Sequence, residues 1–187
     1  MPEVENFKVT VDVNRLAGTT VDRDAEKSTG YYLSSEAWVG GAELGKYGCV
    51  GMSIAPYKSN LRGRKSWFCV GDELIAMGAG ITNVNALTET IIENRKIDSE
   101  YKVFYNNSER DLNEETWYNT YWAYIAPYSD EGGEDISQSI GYYFPQKTHI
   151  KAKREVKEGS WNDIFVGSSG DILENEFFSM YINQPNA

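Results

Sequence analysis

The sequence contains a single histidine, His149, and only two cysteines, Cys49 and Cys69. It has no stretch of apolar residues approaching the ~20 that a membrane-spanning helix requires. Basic residues are also in short supply: 18 Lys and Arg face 28 Asp and Glu, a formal net charge of −10. Each shortage excludes something. Nucleic acids and anionic membrane surfaces bind through a basic face, so neither is expected as a partner. The same balance means that an acidic polymer would need a local basic patch. No CxxC pair or Cys/His cluster has the spacing of a metal site, so no metal is expected. No G-x-S-x-G elbow is present. The Gly78-Ala79-Gly80 run lacks the rest of a dinucleotide loop, and no cofactor is expected. The N-terminus, Met1-Pro2-Glu3-Val4-Glu5, is acidic and has neither the basic nor the apolar region of a signal peptide. A chain beginning this way is not expected to be exported by itself.

What the sequence does have is aromatic and β-branched residues recurring with a period of two. Hydrophobic residues make up 41% of the 187 positions, enough for a proper core, and 13 are tyrosine, which suits half-buried sheet faces. Phe7 to Val13 alternates and reads as a strand. Tyr47 to Ile54 is a second. Ser66 to Val70 and Leu74 to Met77 flank Gly71-Asp72-Glu73 as a hairpin. Further strands are expected at Thr88–Arg95, Lys102–Tyr105, Trp117–Ile125, Ile140–Phe144, His149–Val156 and Phe177–Ile182, with a loop at Ser129–Glu134. Strands every ten to twenty residues with turns between them predict one antiparallel all-β sandwich or barrel, with no linker dividing it. A hairpin centred near Ser59 would bring Cys49 opposite Cys69, either as a strained cross-strand disulfide or as two reduced core thiols.

Residues able to do chemistry are scattered. A lone histidine in an alternating strand reads as a surface or packing residue. Asp130, Glu131, Glu134 and Asp135 form a solvated acidic loop whose spacing is not that of an EF-hand. Arg62-Gly63-Arg64-Lys65 precedes Trp67, and Lys147, Lys151, Lys153, Arg154 and Lys157 gather later. In a strand, Lys151, Lys153 and Lys157 tend to share a face. Such cations can pair with sugar carboxylates or sulfates, or simply protect a sheet edge. Trp117, Tyr118, Tyr121 and Trp122 are candidate stacking platforms. The candidate substrate-binding set is therefore Arg62, Arg64, Lys65, Trp117 and Trp122, with no catalytic residue assigned.

The order of the motifs carries more. Val11-Asp12-Val13-Asn14-Arg15-Leu16-Ala17-Gly18-Thr19-Thr20-Val21-Asp22 resembles the VDPYRLPGTTVD stretch of family 8 polysaccharide lyases, with Ala17 where that family has proline. Ser35–Gly41 (SEAWVGG), Lys65–Phe68 (KSWF) with Gly71–Gly78 (GDELIAMG), and Glu89–Lys96 (ETIIENRK) resemble successive motifs of that family. Ile140–Pro145 and Glu158–Ile164 continue the series in order. The resemblance runs from about residue 7 to 182. It implies an antiparallel supersandwich of the galactose-mutarotase-like kind. It further implies that residues 1–187 form part of the central β-sandwich domain of an enzyme cleaving acidic polysaccharide by β-elimination. Such enzymes are extracellular, which implies secretion as part of a longer precursor. In that family the catalytic Asn, His, Tyr and Arg lie in an α/α toroid, which no part of this sequence resembles. That toroid and an acidic polysaccharide are the implied partners, and the chain alone is expected to be inactive. The rival reading from composition is a free-standing carbohydrate-binding module using exposed aromatic rings.

Overall fold

The computed structural model describes residues 2–25, 32–84, 86–97, 101–105, 108–109, 112, 115–129, 133–134 and 139–184. In chain order the elements are α1 (Pro2–Thr10), β1 (Thr20–Asp22), β2 (Val39–Leu44), β3 (Tyr47–Ile54), β4 (Arg62–Val70), β5 (Glu73–Thr82), β6 (Thr88–Ile97), β7 (Tyr101–Tyr105), β8 (Ser108–Glu109), β9 (Thr116–Ser129), β10 (Gly133–Glu134), β11 (Ile140–Gly159), α2 (Trp161–Ile164) and β12 (Leu173–Asn183). Strand pairing is antiparallel wherever its register is defined, as the period of two predicts. The chain forms two compact units, one of Met1–Ala17 with Ile91–Ile182 and one of Gly18–Thr90 with Asn183–Ala187.

In the first unit the strands run in the order β6-β12-β11-β9-β7-β8, with β10 on β9. Its core gathers Ile97, Val103, Tyr105, Leu112, Ala123, Ile125, Ile150, Ala152, Phe178 and Met180, all buried. Tyr105 stacks on Tyr118 at 4.4 Å, and its hydroxyl donates to Met180 Sδ. Burial raises the Tyr105 hydroxyl far above its ordinary pKa, so it stays protonated as a donor. The Phe7–Val13 expectation fails here, because residues 2–10 are helical. Tertiary partners decide against the alternation. Phe7 packs on Phe177 with ring centroids 5.8 Å apart. Thr10 Oγ1 donates back to Asn6 O, and Asn175 Nδ2 donates to Thr10 Oγ1.

β9 and β11 are longer than their sequences suggest, because each passes through a proline. Pro127 lies beyond Ile125, the last β9 residue in the described pairing with β11, and is paired with Tyr101. Pro145 lies between Tyr143 and Thr148, where the β9–β11 register shifts. Neither missing N–H therefore interrupts a regular two-sided ladder. The acidic cluster of Asp130, Glu131, Glu134 and Asp135 lies outside the residues whose side chains are described.

In the second unit β1 pairs with the first residues of β6, and β2-β3-β4-β5 form a four-stranded sheet. The expected hairpin is β4–β5, turning on Gly71 and Asp72; Gly71 has φ +63°, a conformation in which a Cβ is strained. The β3–β4 register pairs Cys49 with Phe68 and Gly48 with Cys69. The two cysteines therefore point to opposite faces, since a slip of one residue reverses the face. No disulfide closes between them; both are free, and both are exposed rather than in a core. Apolar side chains occupy both faces of this sheet. Tyr47, Phe68, Ile75 and Met77 stand exposed on one, and Val39, Val50 and Leu74 on the other.

Candidate functional site

The Thr19-Thr20-Val21-Asp22 motif is a clamp within the second unit. Thr20 and Thr90 share a hydroxyl hydrogen bond of 2.9 Å across the β1–β6 pair. Asp22 accepts from Ser59 Oγ at 2.5 Å and from the Asp24 backbone N–H at 3.0 Å. Asn83 Nδ2 donates to Thr88 Oγ1, and Gln184 Nε2 to Thr90 Oγ1. Arg23 reaches buried Glu89 at 3.5 Å. Apart from Asn83 Oδ1, which is buried without a hydrogen-bond partner, these groups bond one another, so the motif holds loops in place.

The basic stretch ahead of Trp67 belongs to strand β4 rather than to a loop flanking it. Arg62 Nη1 donates to Ser59 O and Leu61 O, which ties it to its own turn. The Arg64 guanidinium lies 5.4 Å from the Trp38 ring centroid. Lys65 is only 4% exposed, and its ammonium lies 5.8 Å from the Trp67 ring centroid. Burial pulls its pKa below the usual lysine value. Arg64 and Lys65 are adjacent on a strand and so project from opposite faces. These three residues do not converge on one ligand position.

The first unit does assemble a connected cluster, on the sheet face turned away from its core. Trp117, Lys151 and Tyr181 sit in one cross-strand row of β9, β11 and β12. The Lys151 ammonium lies 4.1 Å from the Trp117 ring centroid and forms a 2.7 Å ion pair with Glu115. The Tyr181 hydroxyl donates to the same Glu115 carboxylate. Arg15 stacks on the Tyr181 ring at 4.4 Å. His149, in register with Asn119, stacks on the Trp117 indole at 4.3 Å and shares a 2.9 Å hydrogen bond with the Asn119 amide oxygen. The row continues along β11 as expected, with Lys153 and Lys157 on the same face. Glu155 lies between them and bonds both, at 2.6 and 3.0 Å.

The cluster explains how the predicted residues are used. Trp117 already carries an imidazole and an ammonium on its ring, so it is not a bare platform. Trp122 lies beyond a kink at which Thr120 bonds the Trp122 backbone, and it stacks on Tyr124 at 5.6 Å. The basic ridge is largely neutralised by Glu115 and Glu155. Residue-level reading missed Arg15, Glu115, Asn119 and Tyr181. Only the β9–β11–β12 register brings them to Trp117 and His149, and no local pattern encodes that register. Histidine, tyrosine, arginine and asparagine are the residue types that the resemblance implies for catalysis elsewhere in such an enzyme, but here Tyr181 is 1% exposed and each is engaged by a neighbour. Among the described residues, no group of three or more His, Cys, Asp or Glu is placed to hold a metal ion. No described helix is long and apolar enough to cross a membrane.

These ion pairs carry a pH dependence. Burial works to raise the carboxyl pKa of Glu115, Glu155 and Asp22. Hydrogen bonds outweigh it in each case and hold the groups below their ordinary values, from Lys151 and Tyr181, from Lys153 and Lys157, and chiefly from Ser59 and Asn83. A carboxyl with a folded pKa below its unfolded value stabilises the fold above the unfolded pKa. That contribution is lost as the pH falls through the folded one. The urea midpoint is therefore expected to be flat near neutrality and to fall from about pH 5 downward. A midpoint that rises on acidification would contradict these pairings.

The antiparallel all-β architecture together with a family-model match places the chain among the sandwich domains of the polysaccharide lyases. The chain belongs to polysaccharide lyase family 8, matching its super-sandwich domain over residues 3–187. It is 35% identical to a hyaluronate lyase of Thermasporomyces composti, over 96% of this chain and 23% of that protein. It is 34% identical to a xanthan lyase of Bacillus sp. (strain GL1), over 86% of this chain and 17% of that protein. The solved structure of a Paenibacillus xanthan lyase superposes with a TM-score of 0.84 at 31% identity, over 96% of this chain and 18% of that one. The chain thus spans about a fifth of the length of these relatives. The supersandwich expectation, including its partial extent, holds.

Proposed function

We propose that this chain is the non-catalytic β-sandwich domain of a secreted lyase that cleaves an acidic polysaccharide of the hyaluronan, chondroitin or xanthan type by β-elimination. In this reading it packs against an α/α toroid that carries the base, and it walls one side of the substrate cleft. The carrying observation is the family match along residues 3–187 in a chain about one fifth as long as its lyase relatives. Two features support it. Apolar residues stand exposed on both faces of β2–β5, surface of the kind a larger polypeptide covers. The one histidine is held by Trp117 and Asn119, and among the described residues it has no partner constellation for proton abstraction. The net charge of −10 also disfavours tight polyanion capture by this domain alone.

Calorimetric titration of the chain with hyaluronan and xanthan oligosaccharides tests the reading against a free-standing binding module. Binding too weak to saturate is expected, because one wall of a cleft leaves most of the sugar in water. Saturable binding at about 1 μM or tighter, around −8 kcal/mol, would favour the module instead.

A further inference from the structure

The acidic balance of the chain is reversed in one stretch. Residues 44–71 contain Lys46, Lys58, Arg62, Arg64 and Lys65 and no Asp or Glu, in a protein of net charge −10. Outside it, Arg23, Arg95, Lys151, Lys153, Arg154 and Lys157 each meet a carboxylate. The turn that joins β3 to β4 in the second unit lies within this stretch and is built to a fixed shape. Ser59 Oγ donates to Asp22 Oδ2 at 2.5 Å and accepts from Leu61 N at 3.0 Å. Asp22 also accepts from Asp24 N, so the carboxylate that pins the turn is already engaged.

Within the turn Lys58 has φ +48°, the only positive value at a non-glycine residue among those described. Lysine rarely adopts that conformation. Strain of this kind persists where surrounding bonds over-determine it, and ligand clamps are such places. Lys58 is exposed, and its ammonium lies 5.4 Å from the Tyr57 ring centroid. Tyr57 meets Tyr32 edge-on at 5.2 Å, and Tyr32 is 46% exposed. Arg62 closes the turn. Its Nη1 donates to Ser59 O at 2.9 Å and to Leu61 O at 2.7 Å. These two bonds fix the exposed guanidinium. They leave its Nε–Nη2 edge without a protein partner among the described residues. That edge is the parallel donor pair that a carboxylate accepts. A cation already held in place loses little freedom on binding.

From this we infer that Lys58 and Arg62, with the Tyr32–Tyr57 pair beside them, form a subsite that recognises the carboxylate of an acidic sugar. Arg62 takes the carboxylate through its open edge, Lys58 adds a second positive charge, and the tyrosine rings meet the apolar edge of the sugar. The inference rests on the reading that this domain walls a polysaccharide cleft, and it names the part of the wall that meets the substrate's charge.

The test records amide and arginine Nε–H spectra of the isotopically labelled 187-residue chain during titration with hyaluronan and xanthan oligosaccharides. Weak binding still shifts such signals. Shifts are expected at residues 57–62 and at Arg62 Nε–H with at least one of the two sugars. Carboxyl-reduced forms of the same sugars should shift them about fivefold less or weaker still, because the charge-assisted bonds are gone. No shift in the turn, shifts confined to other strands, or equal shifts with the reduced sugars would each overturn the inference. Arg62→Gln and Lys58→Gly supply the second measurement. Glycine adopts the positive φ without strain, so Lys58→Gly keeps the turn while removing the charge. Each variant should lose most of the shift while keeping the unliganded spectrum outside the turn, and undiminished shifts in both would count against the subsite. In the intact gene product, Arg62→Gln should raise KM by about tenfold with kcat little changed. Absence of turnover by the unsubstituted gene product would remove the functional reading, while the spectra of the chain still decide whether the turn binds a sugar carboxylate.

Discussion

Phe178→Ala is expected to cost about 3–5 kcal/mol of unfolding free energy, the usual toll for emptying a large aromatic site in a packed core. Phe178 is completely buried on β12 among Ile97, Val103, Ile125, Ile150 and Met180. Those neighbours come from five strands held in a continuous ladder, so they cannot collapse far into the void. The melting transition of this unit should fall by roughly 6–20 °C. In urea the midpoint should drop with little change in slope, because the native state stays compact. Phe178→Leu keeps most of the volume and should cost about 1.5 kcal/mol or less. If the alanine and leucine variants were equally stable, the core would not be centred where the structure has it.

A second large effect comes from adding a single carbon. A Cβ at Gly159 would lie 1.9 Å from the Val9 carbonyl oxygen and 2.7 Å from its carbon. Both are backbone atoms, so no rotamer change relieves the clash. α1 must move off the end of β11, or the strand must bend. Gly159→Ala is therefore expected to destabilise by about 1–3 kcal/mol, the range for overpacking, although alanine has the better intrinsic propensity. It should also release the contacts that α1 makes through Phe7 and Thr10 with Phe177 and Asn175. Faster amide exchange in residues 2–10 would report that release directly. Unchanged exchange together with unchanged stability would mean that α1 does not pack there.

These two sites also show where sequence reading stops. The β4–β5 hairpin was legible because two apolar runs flank Gly71, and a turn there needs a residue free to take positive φ. β3 was legible as a run of small and apolar residues ending before Pro56, and β6 because its β-branched residues roughly alternate with polar ones. α1 was not: Phe7, Val9, Val11 and Val13 alternate as in a strand, and contacts with β11 and β12, distant in sequence, favour the helix. Prolines hid the true lengths of β9 and β11, because a proline that sits where a ladder is already interrupted looks identical to one that ends a strand. The cysteines show how sharp register is. A turn one residue off reverses a side chain's face, and Cys49 and Cys69 fell on opposite sides of the sheet.

The candidate site was less legible than the fold. Arg62, Arg64 and Lys65 are consecutive enough to suggest a patch, but strand geometry separates Arg64 from Lys65 and burial removes Lys65 from solvent. Trp117 was singled out as a candidate stacking platform, yet its partners come from β11 and its neighbourhood is completed from β12 and Arg15. The motif series succeeded where single residues did not, because motifs such as Thr20–Asp22 record a scaffold of mutually satisfied hydrogen bonds.

The claim that this domain supports a lyase without performing the elimination is tested most directly by incubating the purified chain with hyaluronan, chondroitin and xanthan and following ultraviolet absorbance. Each elimination leaves a carbon–carbon double bond in the product sugar, so turnover registers as a steady rise. The expected result is a trace indistinguishable from a protein-free control with all three polymers. A sustained, enzyme-dependent rise with any of them would contradict the account and make the His149–Trp117 cluster the first place to look for the base.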